Sequence, residues 1–435
     1  MLNLLLYLAF VAAFLLTVLG GRPAFVYACA ALMPATRAMP VPVPLIGTPS
    51  NLIVIGLLAA RTHWRTRKAL MPGPLPLKRA ILFMTATVLL GVAVRGIGEL
   101  AGTSYIIEFG EVVRSSWYWL TGFVIFAAVY RLAGDPAVAK GTLLACQLSM
   151  AGECAITIWE TIRYGRTTAH LAEPNAAGSY FAAAAALFFN AFLWGKGPRR
   201  WLYALGWLVA VNAVFNSLSR GGMLAAILAC GSTFLVYFLF AKSRSGFKIF
   251  VVVAIVLIVV NFALFVPAKV QERVLSTFGQ GGTEEGGEQL DVSSQERLEY
   301  WAIAWELFRE QPWGYGAFTF PQYLRSLSWR DEAKQAHNVY LEVLVELGAQ
   351  GFLAMMVLLV TVWATLWRAF RRASDDEGRG WCMGLFGWWT AHVAAHMFGN
   401  PFFLIQLCGQ FWMMAACVLA MDRTAHGAGT SRLAG

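Results

Sequence analysis

The stretch QAHNVYLEVLVELGAQGFLA (335–354) starts polar, continues as a long apolar run, and carries His337 at the junction. Asn338 is a side chain of the helix-capping type, which sets His337 just before a first helical turn. The positive end of a helix disfavours imidazolium, so a neutral ring there can accept a proton as a general base. On its own the position has a plainer reading, an interfacial histidine hydrogen-bonded to loop backbone. Arg220 in NSLSRGG (216–222) is flanked by Ser219, Gly221 and Gly222 at a junction between two apolar blocks. Small neighbours admit a ligand close to the backbone, a following helix offers free N–H groups, and a guanidinium grips two phosphate oxygens as a fork. The plain alternative is an arginine reaching lipid headgroups from a tight turn. Arg297 in QERLEYW is a second fixed cation, with Glu296 and Glu299 as ordinary pairing partners and Trp301 four residues on. His392 and His396 in HVAAH share a helix face, yet no H-E-x-x-H pattern and no nearby carboxylate accompany them. Packing or cavity lining therefore suits them better than metal binding.

These groups need elements to hold them, and the composition says which. The chain has 435 residues, 58% hydrophobic and 13% charged, with mean hydropathy +0.59. The apolar residues gather in long blocks, which lipid permits only as helices. Spans are expected at 2–19, 46–60, 80–94, 115–132, 138–158, 176–194, 201–218, 222–240, 248–266, 337–366, 381–398 and 402–420. Residues 24–33 are too few to cross, so 22–45 reads as an interfacial or half-inserted piece; twelve spans result, or thirteen if it crosses. Residues 1–19 lack a basic leader and a cleavage site and read as the first span. The seven cysteines all fall in apolar segments and read as packing residues.

The net charge of +10 raises the question of nucleic acid, but its distribution answers it. Basic residues concentrate in RTHWRTRKALMPGPLPLKR (61–79), GKGPRR (195–200), AKSRSGFK (241–248) and WRAFRRASDDEGR (367–379), as cytoplasmic loops do. That leaves 95–114, the NSLSRGG turn and a long segment at 267–336 on the outer side. Within the last, SSQERLEYWAIAWELFRE (293–310) has helical periodicity, with Leu298, Trp301, Trp305 and Phe308 on one face. PWGYGAF follows as a turn region. The expected layout is about ten N-terminal membrane helices in 1–266, an outer loop domain at 267–336, C-terminal membrane helices at 337–421 and an inner tail at 422–435.

Read in order, SRGG, RLEYW in an outer loop, PWGYGAF, and AHNVYLEVLVELGAQG entering a span form one constellation. A further segment, AEPNAAGSYFAAA (172–184), opens a span with Glu173, Pro174 and Asn175. Together these resemble the O-antigen ligase and polymerase family of bacterial inner-membrane glycosyltransferases, in motif over roughly 172–350 and in topology over the whole chain. The resemblance implies an all-α polytopic membrane protein of about twelve transmembrane helices, of the C-type glycosyltransferase kind (GT-C fold), with one large periplasmic loop domain. It implies a donor glycan on undecaprenyl diphosphate, a sugar hydroxyl of lipid A–core as acceptor, and a role in lipopolysaccharide biosynthesis. It also implies an active site facing the periplasm, with no cofactor, no metal and no nucleic acid. His337 becomes the base, and Arg220 and Arg297 the diphosphate clamps. Ser219, Gly221, Asn338, Tyr340, Trp301, Glu173 and Asn175 become their support. Two arginines suit the charge that gathers on a departing diphosphate. A single displacement would invert the anomeric centre. The family also contains polymerases and transferases that act on proteins. A transporter would place its ionisable groups near the midplane, whereas these cluster at the outer boundary.

Overall fold

The apolar blocks run as helices, because without water the backbone must satisfy itself. The computed structural model describes residues 23–35, 49–64, 73–100, 109–164, 167–171, 173–241, 247–249, 251–253, 292–327, 337–399 and 405–432, with single residues at 12, 268 and 271. In chain order its helices are α1 (Ala24–Leu32), α2 (Pro49–Trp64), α3 (Lys78–Leu100), α4 (Phe109–Leu132), α5 (Pro136–Tyr164), α6 (Pro174–Trp194) and α7 (Arg199–Asn216). They continue as α8 (Arg220–Phe240), α9 (Val292–Glu310), α10 (Phe320–Leu327), α11 (Val339–Arg372), α12 (Asp376–Ala395) and α13 (Ile405–Arg432). Among the described residues there is no strand.

Six helices, α3, α4, α5, α6, α8 and α11, contain segments long and apolar enough to cross a membrane. They coincide with the spans expected at 80–94, 115–132, 138–158, 176–194, 222–240 and 337–366. The expectations at 46–60, 201–218, 381–398 and 402–420 fall on α2, α7, α12 and α13, outside that group of six. The first span and most of 248–266 lie outside the described residues, as do 267–291 (apart from 268 and 271) and 328–336 of the long outer segment. Large apolar side chains such as Leu89, Leu148, Leu202, Ile227 and Val360 are exposed. So much apolar surface suits lipid and not water.

Helix α6 is the axis of the bundle: 18 of its 21 residues are buried. Its alanine run, Ala182–Ala186, lets neighbours approach closely. Helix α12 answers with glycines on the facing side. A Cβ at Gly384 would lie 2.9 Å from the Leu187 side chain, and one at Gly387 3.0 Å from Ala186. A few polar contacts fix the register inside this apolar core. Asn190 donates to Thr233 at 3.0 Å, and Tyr180 to Gln410 at 2.7 Å. Helix α1 is not a surface piece. Phe25, Val26, Cys29 and Ala30 are buried, and Ser149 and Gln410 donate to the carbonyls of Ala31 and Ala30. It is a half-length helix wedged within the bundle.

The long helix α11 breaks at Gly348, where φ is 69° and ψ −171°. The break frees two carbonyls and an N–H, and the PWGYG turn takes them up. Tyr315 N donates to Val345 O, Gly316 N to Glu346 O, and Ala349 N to Pro312 O, each at 2.9 Å. No side chain fits at this junction, since a Cβ on Gly348 would sit 2.4 Å from the Trp313 carbonyl carbon. Buried Glu346 completes the clasp by accepting from Phe318 N at 2.9 Å.

Helix α9 forms where the periodicity places a helix. Its packed side is Tyr300, Ile303, Ala304 and Leu307, which meet Leu341 and Val345 of α11 together with Phe320 and Leu324. Leu298 and Trp305, which share the apolar face read from the periodicity, are each 50% exposed. Fully buried Ala304, where the two helices meet, is the reason: a small residue allows a close crossing that a tryptophan at the same place would prevent. The apolar core beside α9 is thus shared with α11.

Candidate functional site

The turn NSLS is held by its own serines. Ser217 donates to Val214 O at 2.7 Å and accepts from Ser219 N at 3.2 Å, while Leu218 adopts φ 53°, a left-handed conformation costly for a branched side chain. Ser219 then caps α8, accepting from Gly222 N at 3.1 Å. Its hydroxyl also donates to Asn175 at 3.1 Å, tying the start of α8 to the start of α6. Gly222 is where those two helices touch, for a Cβ there would lie 2.7 Å from the Gly178 backbone. Arg220, half-buried, is the first residue of α8. At the positive helix end the dipole adds to its own charge, a combination that favours anions.

Four of the residues singled out in the sequence, Glu173, Asn175, Ser219 and Gly221, line one small cleft of about 10 Å³. It is also lined by Ala395, the last residue of α12, and by Phe398 and Gly399 just beyond it. That stretch is also where α11 begins. Val339 N donates to the carbonyl of His396 at 2.9 Å, and Tyr340 donates its hydroxyl to Val393 O at 2.8 Å. Asn338 caps α11 by accepting from the N–H groups of Tyr340 and Leu341, at 3.0 and 3.2 Å. His337 precedes it with φ 51°, again left-handed. The starts of α8 and α11, far apart in sequence, therefore meet a single short segment, 395–399.

Arg297 and Trp301 stand on α9, half-buried. The PWGYG turn fixes the C-terminal end of α9 near Val345–Ala349, and α9 then packs back along α11 as far as Leu341. Arg220, His337, Asn338, Tyr340, Arg297 and Trp301 are not among the residues lining the small cleft itself.

The histidine pair of α12 is engaged in packing. His392 accepts from the Trp388 indole at 3.1 Å, and His396 bonds the His392 carbonyl while its ring lies 6.0 Å from that of Tyr340. Among the described residues no cluster of three potential metal ligands occurs.

Sequence reasoning missed two groups here. His170 meets Glu153 at 3.0 Å, and its backbone N–H meets the same carboxylate at 3.3 Å. The Glu153 hydrogen bond raises the His170 pKa above its ordinary value, against the opposing effect of burial. Glu160 holds the same loop through Thr167 and Ala169, and Thr167 N reaches Asn216 O at 3.4 Å beside the serine turn. The one available signal was a lone carboxylate, Glu153, inside an apolar run. Arg95 is the second, only 5% exposed on α3 and pressed against Gly316 of the PWGYG turn. An arginine in an apolar helix gives no hint of which loop it will meet.

A family model described as O-antigen ligase matches residues 204–356. The matched stretch holds Arg220, Arg297 and His337, and ends after the break in α11; Glu173 and Asn175 precede it. No curated protein matches the chain. Over that stretch the chain is similar to the O-antigen ligase family.

Proposed function

We propose that the chain is an O-antigen ligase that transfers a glycan from undecaprenyl diphosphate to a sugar hydroxyl of lipid A–core at the outer face of the bacterial inner membrane. The observation that supports this reading is the meeting of two capped helix starts, Ser219–Arg220 and Asn338 behind His337, on the same 395–399 segment. In this reading His337 removes the proton as the acceptor oxygen attacks the anomeric carbon. The bond from that carbon to the diphosphate breaks, and the leaving group carries away the electron pair. Arg220 and Arg297 stabilise the charge that collects on it, as fixed cations do best in a site of low polarity. Displacement in one step inverts the anomeric centre. Glu173, Asn175, Ser219 and Gly221 hold the cleft open beside Arg220, while Asn338, Tyr340 and Trp301 hold the base and the second arginine in place.

The test is reconstitution of the full chain with a lipid-diphosphate glycan and lipid A–core. Product on lipid A–core, made equally in the presence of EDTA, supports a metal-independent ligase. A ladder of longer lipid-linked chains would instead make it a polymerase, glycan on a protein would make it a protein-directed transferase, and movement of glycan without any bond exchange would make it a transporter.

A further inference from the structure

The largest cavity described lies at the other end of the bundle. It holds about 380 Å³, within the range of small-molecule sites. Helix α6 runs from the cleft at Asn175 to this cavity at Trp194, and its 21 residues span about 30 Å, one hydrocarbon thickness. The cavity therefore opens at the opposite headgroup level, between α5, the end of α6, the start of α7 and the start of α12.

Two buried donors line it. The Trp194 indole N–H and the Gln147 amide nitrogen have no hydrogen-bond partner, and their side chains are only 4% and 7% exposed. An indole nitrogen can only donate, so the site calls for acceptor oxygens. The rim supplies charge of both signs. Lys196 and Arg199 face Asp375, Asp376 and Glu377, two basic groups against three acidic. Asp376 is engaged by Lys196 at 2.8 Å and by Arg379 at 3.5 Å, and Asp375 caps α12 through Gly378 N at 2.6 Å. That leaves exposed Arg199 and Glu377 at the rim to meet a ligand. A lining with a net negative charge opposes a bare anion, yet its donors and Arg199 suit phosphate oxygens. Both conditions are met by a ligand that carries an ammonium next to its phosphate.

We propose that this cavity is a binding site for a phosphoethanolamine group, its phosphate held by Trp194, Gln147 and Arg199 and its ammonium by Glu377. The group comes either from an aminophospholipid of that leaflet or from a soluble compound. The inference is independent of the transfer reaction.

The test is native mass spectrometry of the full chain in detergent, offered phosphatidylethanolamine, phosphatidylglycerol or soluble phosphoethanolamine. The expected result is one phosphatidylethanolamine retained about 10-fold more strongly than phosphatidylglycerol, the ratio that one hydrogen-bonded charge supplies. Retention of the intact lipid through delipidation identifies the lipid as the source; binding of soluble phosphoethanolamine without retained lipid identifies the free compound. Trp194→Phe, which keeps a ring against Tyr237 and Phe370, and Glu377→Gln, an exposed change, should each weaken binding about 10-fold. Equal retention of phosphatidylglycerol, variants that bind like wild type, or no binding of either ligand would overturn the assignment.

Discussion

His337 combines a proposed proton-accepting role with a backbone conformation that a side chain resists, and the two can be separated by mutation. Its φ of 51° lies in the left-handed region, which costs an L-residue about 1–2 kcal/mol and costs glycine almost nothing. Glycine gives back about 0.5–1 kcal/mol through the freedom it gains when unfolded. His337→Gly should therefore be as stable as wild type or up to about 1 kcal/mol more stable, while His337→Ala keeps the strain and falls below it. Both variants lose the imidazole, and loss of a general base slows transfer about 10²–10⁴-fold, or about 3–5 kcal/mol of barrier. The assay pairs urea unfolding in detergent with glycan transfer in proteoliposomes. A glycine variant that is stable but inactive separates strain from chemistry. Transfer within threefold of wild type, in that same folded protein, would refute His337 as the base. A glycine variant less stable than the alanine one would refute the strain argument.

Arg220→Lys should lose at least about 10-fold in transfer despite keeping its charge, because a point ammonium cannot bind two oxygens as a fork; unchanged turnover would reduce Arg220 to a lipid anchor. Gly348→Ala should cost more than about 2 kcal/mol, since both the positive φ and the Trp313 backbone exclude a Cβ, and a fully stable variant would mean that the turn is not clasped to α11. The raised pKa of His170 stabilises the fold in full below the unfolded value of about 6.5, and the gain is lost as pH rises through the raised one. The stability gap between wild type and His170→Ala should therefore be about 1 kcal/mol larger at pH 6 than at pH 9, and a gap that grows with pH would contradict the Glu153 pairing.

Much of this architecture was legible in the chain because the relevant forces are local. An apolar block long enough to cross lipid has to be helical, and α3, α4, α5, α6, α8 and α11 lie where the blocks do. Asn338 caps its helix as its side chain suggested, since a cap reaches only two or three residues along its own segment. Which face of α9 packs was not legible, for the opposite reason. Its Leu298–Trp305 stripe has the periodicity of a packed face, but the choice of face was made by Leu341 and Val345 of another helix.

The sequence by itself determined the class of protein, the places where helices start, and the types of side chain available for phosphate and proton chemistry. Only the tertiary structure decided that Asn175 meets Ser219, that Val339 is tied to His396, and that the PWGYG turn closes on a break at Gly348. Each joins segments dozens of residues apart. Such pairings depend on which helices can approach closely, and that is set by glycine and alanine surfaces on two elements at once, a property of the pair that neither segment carries alone.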